Sequence, residues 1–270
     1  FVGLMLGQLA YGPLSDKFGR KPMIHLGLAI FSLGSIGCAL ASDVLQLHGM
    51  RLLQGLGGSI GMVIAFAIIK DRYSGAAMGK MMSMVLAVLG LCPVLAPMIG
   101  NGLQALDSWR LVFWFLAGWG VLVSVLAAVL LPETRSVQAR AQFPLGRTLH
   151  TYAQILRDGR FIPYTLTLCV AQAGFFAYIA GSSSVFISHY ALSPTQFSLL
   201  FALNAVGLVV AAIINPLVHA RLGVLTTFRV VTSAYFVVLA LLLGAMLAGV
   251  THLAVLCGGL FMAVTLLGLL

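Results

Sequence analysis

The chain has 270 residues, of which 61% are hydrophobic and only 8% charged, and its mean hydropathy is +1.08. Soluble domains run at about 45–50% apolar and about 25% charged, and a soluble fold of about 300 residues still leaves roughly a quarter of its unfolded-chain surface wet. A water-soluble globule, a disordered chain and a secreted disulfide scaffold are therefore excluded, and an integral membrane protein is expected. Fifteen Lys and Arg against six Asp and Glu give a net charge of +9. These few charges sit in short gaps between apolar runs, so the partner they indicate is a lipid bilayer with an anionic inner surface, not nucleic acid. Cys38, Cys92, Cys169 and Cys257 stand singly within apolar runs, and the six histidines form no HExxH. Neither a disulfide framework nor a metal site nor a cofactor is expected.

A hydrocarbon core of about 30 Å takes roughly 20 apolar residues of helix. In chain order the qualifying runs are residues 22–41, 44–69, 81–103, 111–131, 163–188, 197–218 and 226–247, flanked by partial spans at 1–14 and 253–270. That makes nine segments. None alternates polar and apolar residues as a barrel strand must, so the expected fold class is all-α, a polytopic transmembrane helix bundle. The chain opens at Phe1 inside one apolar run and stops at Leu270 inside another, with no signal-peptide charge region or cleavage site ahead of the first. A fragment of a longer protein is expected.

If the gap after the first segment is cytoplasmic, alternate gaps hold Lys17, Arg20 and Lys21, then Lys70, Arg72 and Lys80, then Arg135, Arg140, Arg147, Arg157 and Arg160, and finally Arg221 and Arg229. Thirteen of the fifteen basic residues then share one face, which sets the orientation by the positive-inside rule. Residues 132–162 form the longest gap and divide residues 1–131 from residues 163–270. Within it Leu149, Tyr152 and Leu156 fall at i, i+3 and i+7, as in a helix lying on the inner membrane surface, and a solvated linker fits equally. Pro13-Leu14 followed by Lys17-Phe18-Gly19 is echoed by Pro216-Leu217 followed by Arg221-Leu222-Gly223. Secondary transporters are often built from such repeats.

The most specific stretch is Gly12-Pro13-Leu14-Ser15-Asp16-Lys17-Phe18-Gly19-Arg20-Lys21. Gly12 offers close helix approach, Asp16 a negative charge at a helix end, Gly19 a tight reversal, and Lys17, Arg20 and Lys21 a cationic rim. A generic positive-inside turn needs the basic residues but not this order. The stretch resembles the loop between helices 2 and 3 of the major facilitator superfamily, G-x-L-a-D-r-x-G-r-k. Arg51-Leu52-Leu53-Gln54-Gly55-Leu56-Gly57-Gly58 resembles the helix-4 signature of that family. Arg51 lies about 10 Å into its span at 1.5 Å per residue, where a lone arginine costs at least ~2.5–3.5 kcal/mol and faces a cavity, a partner or, by snorkelling, the interface. Gly57 and Gly61 are spaced for close helix contact. Cys92-Pro93-Val94-Leu95-Ala96-Pro97-Met98-Ile99-Gly100-Asn101 resembles the antiporter signature g-x-x-x-G-P-x-x-G-G, departing from it at Cys92, Ala96 and Asn101. Pro93 and Pro97 each remove a backbone donor and favour a kink. With Gly7-Gln8-Leu9, Tyr11 to Leu14, and Phe201 to Ala205, the chain resembles the bicyclomycin/chloramphenicol-resistance (Bcr/CflA) branch of drug:proton antiporters over essentially its whole length.

That resemblance implies a twelve-helix transporter of which helices 2 to about 10 are present: helices 2–6 in residues 1–131, the interdomain linker in 132–162, and helices 7–10 in 163–270. It implies a monomer in the bacterial inner membrane that exchanges protons for amphipathic drugs by alternating access. Gly12, Asp16, Gly19, Arg20 and Lys21, with Asp71 and Arg72, would make charge contacts that exist in one state and break in the other. Arg51 and Gln54 would tune proton coupling, and Pro93, Ala96, Pro97 and Gly100 would shape the antiporter helix. The proton-binding acid that the branch has on helix 1 is absent from these residues, so the chain alone is not expected to couple protons. In residues 163–188, Gln172, Phe175, Phe176, Tyr178 and Ser183 lie near a weak Gly181-Ser182-Ser183-Ser184 stretch, and with Asn204 they offer aromatic walls and a few polar groups to an amphipathic substrate.

Other readings remain open at this level. A sugar or metabolite transporter favours more polar groups than the cluster around Phe175, and a membrane-embedded enzyme needs paired intramembrane acids or a His/Ser constellation, which is missing. An inactive truncated product is the third. Gly75 to Lys80 has too few residues between its glycines for a phosphate loop, so transport would be driven by an ion gradient or by the gradient of the substrate itself.

Overall fold

The computed structural model describes residues 1–136, 145–159 and 161–270. Arg140 and Arg160 lie outside the described residues, as do the side chains of Pro93, Arg147 and Leu149. Lipid offers backbone groups no partner, so the chain satisfies them within helices, and no strand occurs among the described residues. The helices are α1 Val2–Phe18, α2 Arg20–Leu40, α3 Val44–Gly58, α4 Ile60–Arg72, α5 Gly75–Leu106, α6 Trp109–Leu130, α7 Leu145–Ile155, α8 Ile162–Ser183, α9 Pro194–Leu222, α10 Val224–Leu247 and α11 Leu253–Leu267. Among the described residues, seven spans are long and apolar enough to cross a membrane: α2, α3 with α4, α5, α6, α8 with the turn after it, α9 and α10. The shorter α1 and α11 occupy the two flanking segments.

Two expected spans are not uniform helices. The run at 44–69 is divided at Ser59, where a glycine-rich stretch weakens the helix and the Ser59 hydroxyl donates to the Leu56 carbonyl at 2.7 Å. The run at 163–188 passes from α helix into a π turn over Ser184–His189, directly after the serines. Wide turns of this kind recur at functional sites. By contrast α5 runs as one helix through both prolines.

The chain divides into two compact units, Phe1–Val85 with Gly102–Ile155, and Leu86–Asn101 with Leu156–Leu270. Helix association in lipid is driven by close packing and interhelical hydrogen bonds rather than by the hydrophobic effect, and the first unit shows both. A Cβ on Gly3 would strike the Leu52 carbonyl, one on Gly34 the backbone of Gln54, and one on Gly57 the backbone of Phe31. Gly12 and Gly61 take no part, since nothing lies within 4 Å of where their Cβ atoms would be. The close contact expected of Gly57 is present, and Gly3 and Gly7 make the further close approaches. Antiparallel α2 and α6 are laced by polar rungs: Lys21 Nζ to the Ala128 carbonyl at 2.6 Å, His25 Nδ1 with Ser124 Oγ at 2.8 Å, and Ser32 Oγ to the Ala117 carbonyl at 3.2 Å. Arg110 Nη2 closes the far end on the Ala41 carbonyl at 3.1 Å.

The second unit packs α8, α10 and α11 around Ala171, Tyr235 and Ala263. The Tyr235 hydroxyl donates to the Ala171 carbonyl at 3.0 Å. A reciprocal cap starts α9, with Gln196 N–H donating to Ser193 Oγ and Ser193 N–H to Gln196 Oε1.

Candidate functional site

The basic end of the first unit is organised by Arg20, the first residue of α2. Gly19 before it has φ 100° and ψ 158°, a conformation open essentially to glycine alone, so α1 and α2 meet across a single residue. The reversal buries the Arg20 side chain, which is 5% exposed, among acceptors. Its Nη1 donates to Ser15 Oγ at 2.6 Å, its Nε to Asp71 Oδ2 at 2.8 Å, and its Nη2 to Asp71 Oδ1 at 3.3 Å. The same Nη2 pairs with Asp16 Oδ1 at 2.8 Å. Ser15 in turn donates to the Gly12 carbonyl at 2.9 Å. A planar guanidinium can serve several acceptors in fixed directions where a lysine could not.

A third carboxylate completes the cluster. Glu133, just past α6, accepts from the backbone N–H groups of Arg20 at 3.0 Å and Lys21 at 3.1 Å, and from that of Arg135 at 2.9 Å. It caps α2 from a distant part of the chain, where a negative charge favours the orphan N–H groups and the helix dipole. Thr134 Oγ1 donates to Asp71 Oδ2 at 3.2 Å, and Arg135 Nη2 lies 3.9 Å from Asp16 Oδ1. Three of the chain's six carboxylates thus converge on Arg20, tying α1, α2, α4 and the segment after α6 together.

Sequence reasoning placed Asp16, Gly19, Arg20, Lys21 and Asp71 here; the structure brings Asp16, Gly19, Arg20 and Asp71 together, while Lys21 gives its backbone N–H to Glu133 and turns its Nζ to the Ala128 carbonyl. Gly12 contributes its carbonyl and no close contact. Arg72 is exposed and the neighbouring Asp71 does the pairing, because one residue of helix turns a side chain by about 100°. Glu133 and Thr134 were missed. Their signal was an acid and a hydroxyl right after an apolar run, in Leu131-Pro132-Glu133-Thr134.

A second polar chain lies further along α3. Arg51 Nη1 donates to Gln54 Oε1 at 2.9 Å, Gln54 Nε2 to Ser35 Oγ at 2.8 Å, and Ser35 Oγ to the Phe31 carbonyl at 2.8 Å. Gln54 is 5% exposed and Ser35 fully buried, so the amide is fixed by both neighbours. The Arg51 guanidinium sits 4.9 Å above the Phe113 ring, a favourable cation–π contact. Ser35 and Phe113 carried no signal of their own in sequence.

On α5, Ala96 is exposed while Pro97 and Gly100 are half-buried, and nothing crowds the Gly100 Cα. In the second unit Tyr178 is the hub of the aromatic group. It stacks on Phe201 at 5.5 Å and 9°, leans on Phe175 at 6.3 Å, and accepts a 2.7 Å hydrogen bond from Asn204 Nδ2. Phe175 also tilts against Phe176, which is 39% exposed. Gln172 and Ser183 are exposed and stand outside this group.

The Major Facilitator Superfamily profile matches residues 1–270. The chain is 34% identical over 210 residues to the MFS-type transporter YdgK of Bacillus subtilis, covering 77% of this chain and 52% of that protein. It is 28% identical over 234 residues to the bicyclomycin resistance protein homolog of Haemophilus influenzae, covering 87% and 59%. It is 31% identical over 207 residues to a chloramphenicol resistance protein of Pseudomonas aeruginosa, covering 76% and 48%. The chain spans about half the length of these curated relatives. Among solved structures, a bacterial homologue of the human lysosomal transporter Spinster, inward-facing and occupied, superposes with TM-score 0.62 at 16% identity over 100% of this chain and 65% of the other. The human organic anion transporter MFSD10 does so with TM-score 0.58 at 20% identity over 99% and 68%. These two likenesses concern the fold. Together with the helix pattern, the full-length profile match makes this an all-α, multi-pass membrane chain that belongs to the Major Facilitator Superfamily, a family of transporters and not of enzymes.

Proposed function

We propose that the protein containing this chain exports amphipathic, partly aromatic drugs across the bacterial inner membrane in exchange for protons, by alternating access. The observation that carries this reading is the convergence of Asp16, Asp71 and Glu133 on the buried end of α2 at Arg20. Such a cluster holds firmly while assembled. Once one element withdraws, it leaves a nearly buried guanidinium short of partners, and this makes it a two-state contact rather than a graded one. The halves at 1–131 and 163–270, joined by the linker at 132–162, are the bodies that would rock, with Lys21 and Arg72 on the cytoplasmic rim. Pro97 and Gly100, with Pro93 and Ala96, would shape the helix against which they move.

Arg51, held by Gln54 and Phe113, is the fixed cation that would tune a proton-binding group. The substrate would meet Phe175, Phe176 and Tyr178 beside Asn204, with Gln172 and Ser183 as further contacts. Relatives named for bicyclomycin, chloramphenicol and multidrug resistance support drugs as the substrate class. The protein would act as a monomer with lipid, protons and a small molecule as its partners. Expression of the complete gene in an efflux-deficient bacterium tests this with a resistance panel read with and without a protonophore. Resistance that the protonophore abolishes is the expected result. No resistance to any amphipathic drug, alongside uptake of a sugar or other metabolite, overturns it.

A further inference from the structure

Helix α1 carries Pro13 in its interior, and a proline brings no N–H to the carbonyl four residues before it, here that of Leu9. Leu9 lies nine residues from the basic end of α1, about 13 Å at 1.5 Å per residue, where lipid offers a carbonyl no donor. The donor comes from far along the chain. The Tyr152 hydroxyl of α7 donates to the Leu9 carbonyl at 3.3 Å.

Two stripes run along α1. Gly3, Gly7, Tyr11 and Ser15 are buried in the first unit, whereas Val2, Met5, Leu6 and Leu9 are exposed. Tyr152 meets the exposed stripe, the one that α3 and α4 leave uncovered. It also stands one helical turn before the end of α7 at Ile155, and the second unit resumes at Leu156. The linker is therefore tied to α1 just before it passes into the second unit.

Pro13 is held from both sides. Before it, Tyr152 engages Leu9. After it, Asp16 pairs with Arg20 at 2.8 Å, and Ser15 donates to the Gly12 carbonyl while accepting from Arg20. An interior proline is where a helix bends, so these two attachments together set the angle of the last turns of α1.

We propose that Tyr152 straps α7 to α1 by filling the hydrogen bond that Pro13 leaves open, and that this strap holds the bend which presents Asp16 to Arg20. This rests on the reading of the Arg20 cluster as a two-state contact and adds the linker helix to it as a second fastener. Releasing the strap leaves the Leu9 carbonyl without a donor and frees the bend, so strap and cluster form and break together.

The test is hydrogen exchange read by mass spectrometry on the chain in lipid nanodiscs, over residues 145–155 and residues 16–21. Tyr152→Phe keeps the ring and removes only the donor. Exchange over α7 should quicken about fivefold, the worth of one hydrogen bond, and exchange over residues 16–21 should quicken at least twofold. Pro13→Ala gives the Leu9 carbonyl a donor within its own helix, and in that background Tyr152→Phe should change exchange over α7 by less than twofold. Unchanged exchange over α7 in Tyr152→Phe, or equal quickening in both backgrounds, overturns the strap. Quickening confined to α7 overturns its hold on Asp16 and Arg20. Should Pro13→Ala fail to insert, Tyr152→Phe decides alone: both regions must quicken, and either one unchanged overturns the proposal. Because exchange is read without transport, Arg20 and Asp71 acting independently in export while the strap behaves as expected defeats the two-state reading alone.

Discussion

Gly19 and Gly223 occupy the same corner of backbone space, φ 100° and ψ 158° in one and φ 82° and ψ 150° in the other, and each joins two helices across a single residue. Each also sits six or seven residues after a proline inside the preceding helix, Pro13 in α1 and Pro216 in α9. The repeat suggested by sequence therefore has a backbone counterpart. Among the described residues the ionic cluster has no counterpart at the second junction, where His219 and Ala220 stand in place of the acid of the first copy.

A substitution series follows from that geometry. Alanine at position 19 or 223 must adopt a conformation that costs on the order of 1–3 kcal/mol. Gly12→Ala and Gly61→Ala meet open space within helices, where alanine is favoured by roughly 0.5–1 kcal/mol. Thermal unfolding of the purified variants in detergent should show the first pair below wild type and the second pair at or above it.

Glu133→Gln should loosen the start of α2 without dissolving the helix. The amide keeps one acceptor oxygen but loses the charge that faces three N–H groups, a change of about 0.5–2 kcal/mol at a helix N-terminus. Hydrogen exchange at Lys21 should quicken by roughly tenfold, while exchange in the middle of α2 stays at the wild-type rate.

The span pattern, the all-α class and the Asp16–Arg20 pairing were legible in sequence because lipid imposes them. Apolar length marks a helix, and scarce charges are pushed to its ends. Glu133 was hidden because two of its partners are backbone N–H groups on a helix more than a hundred residues away. The buried role of Gln54 depends on Ser35 facing it from α2, a register that comes from packing at Gly34 and not from local pattern. The aromatic run on α8 was visible, yet its separation into Phe175 and Tyr178 inward and Gln172 and Ser183 exposed required the helices around it.

The relay on α3 gives a functional prediction. Arg51→Ala should abolish drug export while membrane insertion stays intact, since its contact across to α6 is a cation–π contact with Phe113 of about 0.5–2 kcal/mol. Gln54→Leu should reduce export more than Phe113→Leu does, because it removes the hydrogen bond that aims the guanidinium and leaves Ser35 unpartnered by its amide. Drug accumulation in cells, normalised to protein in the membrane fraction, checks both, and wild-type export by Arg51→Ala would refute the role.

The most direct measurement for the whole account is a double-mutant cycle on export with Arg20→Gln, Asp71→Asn and the pair combined, read as energy-dependent drug accumulation. If Arg20 and Asp71 act as one switch, each single change abolishes most of the export and the double variant is no worse than either. Losses that multiply, or a double variant far worse than both singles, would mean that the two residues act separately, and the ionic cluster would be packing and not a switch.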